Sequence, residues 1–257
     1  MASNYTTVTE VPGLRASREQ SAMLYTRYAF AAEFCHDKQV LEIACGSGQG
    51  LGYVATKARK LIGGDYTENL LKSAQQHYRS RVPLMRLDAH ALPFQASSFD
   101  VVLFYEAIYY LANPEHFLDE CRRVLREKGM LLLCTVNKEW PDFNPSPFST
   151  RYFSARELSE LLRKHRFQVE LRGAFPVRKD SAKVHVASFL KRVAVALHVI
   201  PKTMKGKELL KRIFLGSLSP LPSEVHEGMA GYIPPVAISD TEVCPRFKIL
   251  FALAHLG

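Results

Sequence analysis

Val40-Leu41-Glu42-Ile43-Ala44-Cys45-Gly46-Ser47-Gly48-Gln49-Gly50 passes from a short apolar run into a glycine-rich turn. Val40, Leu41 and Ile43 are the side chains of a buried strand. Gly46, Gly48 and Gly50 permit positive φ and let a ligand approach the backbone without a Cβ in the way. Leu51 to Lys60 continues as a predicted helix, whose free N-terminal N–H groups face whatever sits over the turn. The spacing is not the G-x-G-x-x-G of a dinucleotide turn, and no Gly-Lys-Ser/Thr follows to make a P-loop. An acid, Glu42, sits inside the strand instead.

Outward from that turn, strand and helix patterns alternate. Leu61 to Asp65 is a second strand ending in an acid about 20 residues past the glycines, where an acid in a Rossmann-like unit accepts from ribose hydroxyls. Leu84 to Leu87 is a third, running into Asp88-Ala89, with Phe99 to Phe104 a fourth and Gly129 to Val136 a fifth. Glu68 to Arg79 and Pro114 to Arg126 read as crossover helices, the latter with Pro114 at an early position and Gly129 as its C-cap glycine. Ser154 and Glu157 form a capping box for a helix to about His165; Phe167 to Leu171 is a sixth strand and Phe247 to Ala254 the last. Such alternation predicts a parallel sheet with right-handed crossovers.

The ordered set resembles the class I S-adenosylmethionine (SAM) dependent methyltransferases of the type 11-like family, whose first motif is written E/D-x-G-x-G-x-G. The likeness spans roughly residues 20–175 and includes Leu111 to Gly129, which resembles the helix before that family's fifth strand. It implies a fold class of α/β: a Rossmann-like seven-stranded methyltransferase sheet, helices on both faces and a helical insertion before the last strand. It further implies SAM as cofactor, S-adenosylhomocysteine as product and no metal. By position in the family motifs, Glu42 orders the turn or reaches the methionine moiety through water. Ala44, Gly46 and Gly48 hold the amino acid end with their backbone. Asp65 takes the ribose, Tyr66 lies on the adenine, and Asp88 with Ala89 reads the adenine edge. The N-terminal helix of relatives folds over the cofactor, which brings Tyr25, Arg27 and Tyr28 into consideration, Tyr25 foremost.

After strand four, Tyr105-Glu106-Ala107-Ile108-Tyr109-Tyr110-Leu111 lies where the resemblance puts the reactive methyl. Methyl transfer needs proximity, alignment and, for a hydroxyl or amine acceptor, a place for the proton. Glu106 and Tyr109 are the catalytic candidates, and Tyr105 a cofactor contact. Many relatives carry an acid–His pair where this chain has Tyr109-Tyr110, a departure that argues against a histidine base or a metal there. No Asp/Asn-Pro-Pro-aromatic motif follows strand four, which weighs against methylation of a nucleic-acid base.

With 257 residues, 47% hydrophobic and 23% charged, the chain has the composition of a globular domain and reads as one. Residues 1–16 read as a flexible tail, 17–35 as a cap helix begun by Ser17 or Ser21, 36–175 as the cofactor-binding core, 176–245 as an insertion and 246–257 as the last strand. Five cysteines without C-x-x-C spacing suit neither a disulfide framework nor a zinc site, and point to the cytoplasm. Met1 to Gly13 lacks the basic start and apolar stretch of a signal peptide.

Charge is concentrated. Between Arg178 and Arg212 ten lysines and arginines meet two acids, Asp180 and Glu208, so one segment carries most of the formal net charge of +9. Two helices are predicted there, Ala182 to Ile200 and Lys205 to Leu215, followed by a proline-rich loop over 217–240. A basic cap of this kind attracts an anionic acceptor or lies on the inner face of a membrane. Nucleic acid is the weaker expectation, because no binding module or interleaved aromatics accompany the basic residues. The function expected is methyl transfer to an oxygen or nitrogen of a small-molecule acceptor, such as a sugar, nucleotide-sugar, lipid-linked or secondary-metabolite intermediate. The alternatives are RNA or protein methylation through the basic insertion, and a SAM-binding protein without catalysis. Oligomeric state is not legible.

Overall fold

The computed structural model describes residues 5–146, 148–177 and 218–256. Among the described residues ten strands and five α-helices follow in chain order: β1 (Arg15–Ala16), α1 (Arg18–Cys35), β2 (Gln39–Ile43), α2 (Leu51–Ala55), β3 (Lys60–Asp65), α3 (Glu68–Tyr78), β4 (Leu84–Arg86), β5 (Phe99–Tyr105), α4 (Pro114–Val124), β6 (Leu125–Val136), α5 (Ala155–Lys164), β7 (Phe167–Pro176), β8 (Ser219–Pro220), β9 (Val236–Ala237) and β10 (Phe247–Leu256). Eight strands form one sheet in the order β4-β3-β2-β5-β6-β10-β7-β9. The first five are parallel, and β10 runs antiparallel to both β6 and β7.

The apolar runs divide between two cores, because successive strand residues point to opposite faces. Val40, Val101, Leu103 and Leu132 enter the core beneath α1, α2 and α3, with Phe30, Val54 and Tyr78. Leu41, Ile43, Val102 and Leu133 enter the other, with Phe117 and Leu118 of α4 and Leu158 and Leu162 of α5. Helix starts follow their caps. Ser17 and Gln20 close a reciprocal box at α1, Ser154 and Glu157 another at α5, and Asn113 accepts from His116 N–H just ahead of Pro114. Ser17, not Ser21, is the α1 cap.

Several boundaries differ from expectation. The sheet has eight strands, because residues 236–237 add a short edge to β7 through Arg172↔Ala237 and Gly173↔Val236. The helix expected over Leu51–Lys60 ends at Ala55: Arg59 and Lys60 N–H both donate to Lys38 O, which draws the chain into register with β2. Gly129 is not a helix cap. α4 stops at Val124, Leu125 pairs with Phe99 and Met130 with Val101, so the intervening residues bulge from β6. Lys128 takes the left-handed conformation there (φ 60), while a Cβ on Gly129 would come within 2.8 Å of Arg126 O.

Residues 5–16, expected as a tail, form a strap. Tyr5–Thr7 is a 3-10 turn and β1 pairs antiparallel with β8. The basic cluster and both helices expected between 178 and 217 lie outside the described residues. The return leg, 218–231, is laid against the core: Val225 N–H donates to Gln49 O, Gln49 Nε2 to Pro222 O, and Glu224 pairs with His77 and Arg81. No helix among the described residues is long and apolar enough to cross a membrane.

Candidate active site

The sheet order reverses between β2 and β5, and in open α/β sheets the crevice at that point, beyond the carboxyl ends of the strands, is where ligands bind. A cavity of about 580 Å³ occupies it. One wall comes from the ends of β2, β3 and β4: Ala44, Gly46, Asp65, Tyr66, Asp88 and Ala89 all line it. The other comes from the ends of β5, β6, β7 and β10 and from the strap.

On the first wall the glycine turn is held from outside itself. Ala44 and Gly46 both adopt positive φ (59° and 58°). Gly46 N–H donates to Asp65 Oδ2 at 2.8 Å, and Thr67 N–H to Asp65 Oδ1 at 2.7 Å. Burial raises the Asp65 carboxyl, and these backbone donors oppose the shift. The Thr67 hydroxyl and the Tyr66 N–H add to that opposition. Asp88 Oδ1 accepts from His90 N and meets His90 Nδ1 at 2.8 Å. Its partial burial would raise the carboxyl, but the His90 bonds hold it below the ordinary range. Tyr66 is half-exposed with the Arg86 guanidinium 5.6 Å from its ring centre.

On the second wall Glu106 takes φ 50, a conformation a non-glycine residue holds only where the surroundings impose it. Tyr109 Oη donates to Glu106 Oε2 at 3.1 Å, and Cys134 Sγ lies 3.8 Å from Oε1. Burial raises the Glu106 carboxyl, opposed by the nearby Arg27 cation. Arg27 itself is buried, donates to Glu10 of the strap at 2.5 Å, and is held protonated by Glu10 and Glu106 against its desolvation. Tyr105 and Tyr109 are buried, which pushes both phenols well above their usual range.

Nine of the twelve site residues expected from sequence line the cavity: Ala44, Gly46, Asp65, Tyr66, Asp88, Ala89, Tyr105, Glu106 and Tyr109. Three do not. Tyr25 turns away and donates to Glu227 Oε1 at 2.6 Å, with Tyr53 packed edge-on. Gly48 serves packing, since a Cβ there would press on Ala74, Tyr78 and Leu51 at 3.0–3.1 Å. Glu42 stands behind the wall, bound by Tyr28 Oη at 2.8 Å, with its Oε2 buried and without a partner in the structure. Sequence reasoning missed Glu10, Tyr5, Tyr110, His90 and Phe175. It also preferred Tyr25 to its neighbours Arg27 and Tyr28. A signal for the latter existed: Gln20, Met23, Leu24, Arg27 and Tyr28 all line the cavity and recur at the spacing of one helix face, which Tyr25 leaves.

The donor set fits a nucleoside with an amino acid tail. A diol has the Asp65 carboxylate, a flat base has Tyr66 and the Asp88–Ala89 edge, and an amino acid end has the Ala44–Gly46 backbone. Among the described residues no group of three or more His, Cys, Asp or Glu is placed to hold a metal ion.

Comparison with known proteins agrees. Residues 41–133 match the family model described as a methyltransferase domain. A protein of Mycolicibacterium smegmatis named "Probable S-adenosylmethionine-dependent methyltransferase" is 35% identical over 166 residues, 62% of this chain and 63% of that one. A ubiquinone biosynthesis O-methyltransferase of Parvibaculum lavamentivorans is 28% identical over 124 residues, 47% of this chain and 49% of that one. The chain thus spans about half to 63% of the length of these curated relatives. Among solved structures, a SAM-dependent methyltransferase of Thermotoga maritima superposes with TM-score 0.61 at 16% identity, over 93% of this chain and 92% of that one, a likeness of fold. Glycine turn, acid at the end of β3 and reversed sheet order all fall in or beside residues 41–133, the stretch that matches the methyltransferase-domain model.

Proposed function

We propose that the chain is a methyltransferase that uses SAM to methylate an oxygen or nitrogen of a small-molecule acceptor, releasing S-adenosylhomocysteine. The observation that carries this reading is one cavity with a nucleoside-type wall at β2–β4 and an ionisable pair, Glu106 and Tyr109, on the wall beyond β5. Asp65 would hold the ribose, Tyr66 and Asp88–Ala89 the base, and the Ala44–Gly46 backbone the amino acid end. Bound there, SAM supplies a methyl carbon made electrophilic by a positively charged sulfur. What remains for the chain is to orient the acceptor, exclude water and receive a proton. The upward push on Glu106 makes it a stronger proton acceptor than an exposed carboxylate, and the Arg27 charge opposes that push. Tyr109 fixes its orientation.

Calorimetric titration with SAM and with S-adenosylhomocysteine, on the wild type and on Asp65→Ala, tests the cofactor. Micromolar binding that is lost in the variant supports it, and no binding of either ligand to the wild type rejects it. Release of S-adenosylhomocysteine over an acceptor panel then tests turnover. Binding without turnover on any acceptor would favour a SAM-binding protein without catalysis.

A further inference from the structure

The cavity beyond β5 is walled by carbon and by charges that oppose one another. Val8 of the strap, Met23 of α1, Val136, Phe175, Ile249 and Phe251 supply the apolar surface. Phe175 keeps its place at φ 58, a conformation that costs a bulky residue and persists only under the constraint of its surroundings. Tyr5, Tyr110 and Tyr109 make a contiguous aromatic cluster, with ring centres 5.0 Å apart and tilted 45° for the first pair, and 4.5 Å apart and near edge-on for the second. The ionic groups on this side are Glu10, Arg27 and Glu106; among the described residues no lysine and no second arginine lines the cavity.

That inventory selects by charge. An anionic acceptor would bring its charge against Glu10 and Glu106, and the one lysine or arginine among the described lining residues, Arg27, is already engaged by Glu10. A cationic acceptor would have Glu106 as its counter-ion, but only within the field of Arg27, which already reaches that carboxylate. An anion would be a buried charge without a free counter-ion among the described residues, and a cation would exchange its hydration for one carboxylate that Arg27 already shares; both are costly. A neutral ring carrying a hydroxyl meets neither obstacle. The tyrosine face takes the ring edge-on or offset, and Glu106 accepts from the hydroxyl.

We infer that the chamber is built for an uncharged, hydroxylated aromatic compound with an apolar body, its ring against Tyr110 and its hydroxyl donating to Glu106. This names a substrate class for the methyl-transfer reading and rests on that reading for its catalytic meaning; the binding itself does not. An anionic group on the acceptor, as the basic segment led us to expect, would on this inference sit outside the chamber.

Calorimetric titration of the full chain with para-propylphenol, para-hydroxyphenylpropionate and tyramine tests it, with and without saturating S-adenosylhomocysteine. These probes share a phenol and a short tail and differ in charge. The expected result is para-propylphenol binding at least about tenfold tighter than either charged probe. Glu106→Gln is expected to narrow the gap for the anion, because it removes a like charge and keeps the shape. Tyr110→Ala is expected to weaken the neutral probe by about tenfold. Equal or tighter binding of either charged probe to the wild type overturns the inference, and so does no binding of para-propylphenol in the millimolar range. A preference unmoved by both variants, with folding verified by circular dichroism, also overturns it. Failure of S-adenosylhomocysteine to bind would reject the cofactor instead, and the titration without it would still decide the acceptor class.

Discussion

The backbone N–H of Gly46 donates to the Asp65 carboxylate at 2.8 Å, so the glycine turn and the end of β3 are a single unit. Asp65→Ala removes the acceptor of two backbone N–H groups, Gly46 and Thr67, and should cost about 1–3 kcal/mol in urea unfolding. Asp65→Asn keeps one carbonyl oxygen for those donors and should recover part of that stability. Neither variant should recover SAM affinity, since an amide presents donors where a diol needs acceptors. Wild-type affinity in Asp65→Ala would remove Asp65 from the site.

Gly50 and Gly52 separate two reasons for a glycine in one turn of chain. A Cβ on Gly50 would lie 1.9 Å from the Tyr28 ring, which is buried and tied to Glu42. On Gly52 the obstacle, at 1.8 Å, is the far end of the Glu224 side chain, which can swing away. Gly50→Ala should therefore destabilise by about 1–3 kcal/mol, while Gly52→Ala should cost less than about 1 kcal/mol. Thermal unfolding of both variants checks the order; a reversed order would mean that Tyr28 moves more easily than its burial allows.

Glu42 makes stability depend on pH in a definite direction. Burial pushes its carboxyl up to about 7, against the Tyr28 hydrogen bond and the Arg27 charge, which pull it down. The folded chain therefore keeps this proton to higher pH than the unfolded chain does. Its stabilising contribution is complete below the ordinary glutamate range and is lost as pH rises through 7. Glu42→Gln should be more stable than wild type at pH 8 by up to about 3 kcal/mol, with the difference vanishing near pH 4. Denaturant titrations at the two pH values measure it. A variant that is less stable at pH 8 would show that the carboxylate is compensated there.

Arg27 and Glu10 couple the strap to α1. Glu10→Ala leaves a buried guanidinium with only its Met23 carbonyl and the field of Glu106, and should cost about 1–3 kcal/mol. Replacing both, Glu10→Gln with Arg27→Met, should cost less than the two single changes added together. Limited proteolysis should cut Glu10→Ala within residues 5–16 faster than the wild type; equal rates would mean that β1 alone holds the strap.

What the sequence made legible was local. The run Val40–Ile43 as a strand, and the placement of Asp65 and Asp88–Ala89 at or just past strand ends, could be read within a few residues, because strand patterning and turn chemistry act over that range. The strap was not legible: Tyr5 and Glu10 acquire their surroundings from Tyr110 and Arg27, which are remote in the chain. Gly129 looked like a cap because a helix pattern preceded it, yet pairing of Leu125 with Phe99 ended α4 first. Tyr25 and Tyr28 were indistinguishable as residue types; only the face on which each falls separates them. The two-residue edge β9 has no pattern long enough to read.

The pairing of β1 with β8 also orders events in time. Arg15 faces Pro220 and Ala16 faces Ser219, while Gly13 and Leu14 exchange backbone bonds with Leu221. During synthesis the strap leaves the ribosome long before β8, and it has no partner strand until the chain between them has emerged. Contacts so distant in sequence form late, because loop closure precedes their reward. The cavity wall drawn from residues 44–89 is finished long before. A nascent chain thus holds an open half-site first, and gains its roof as one of the last acts of folding.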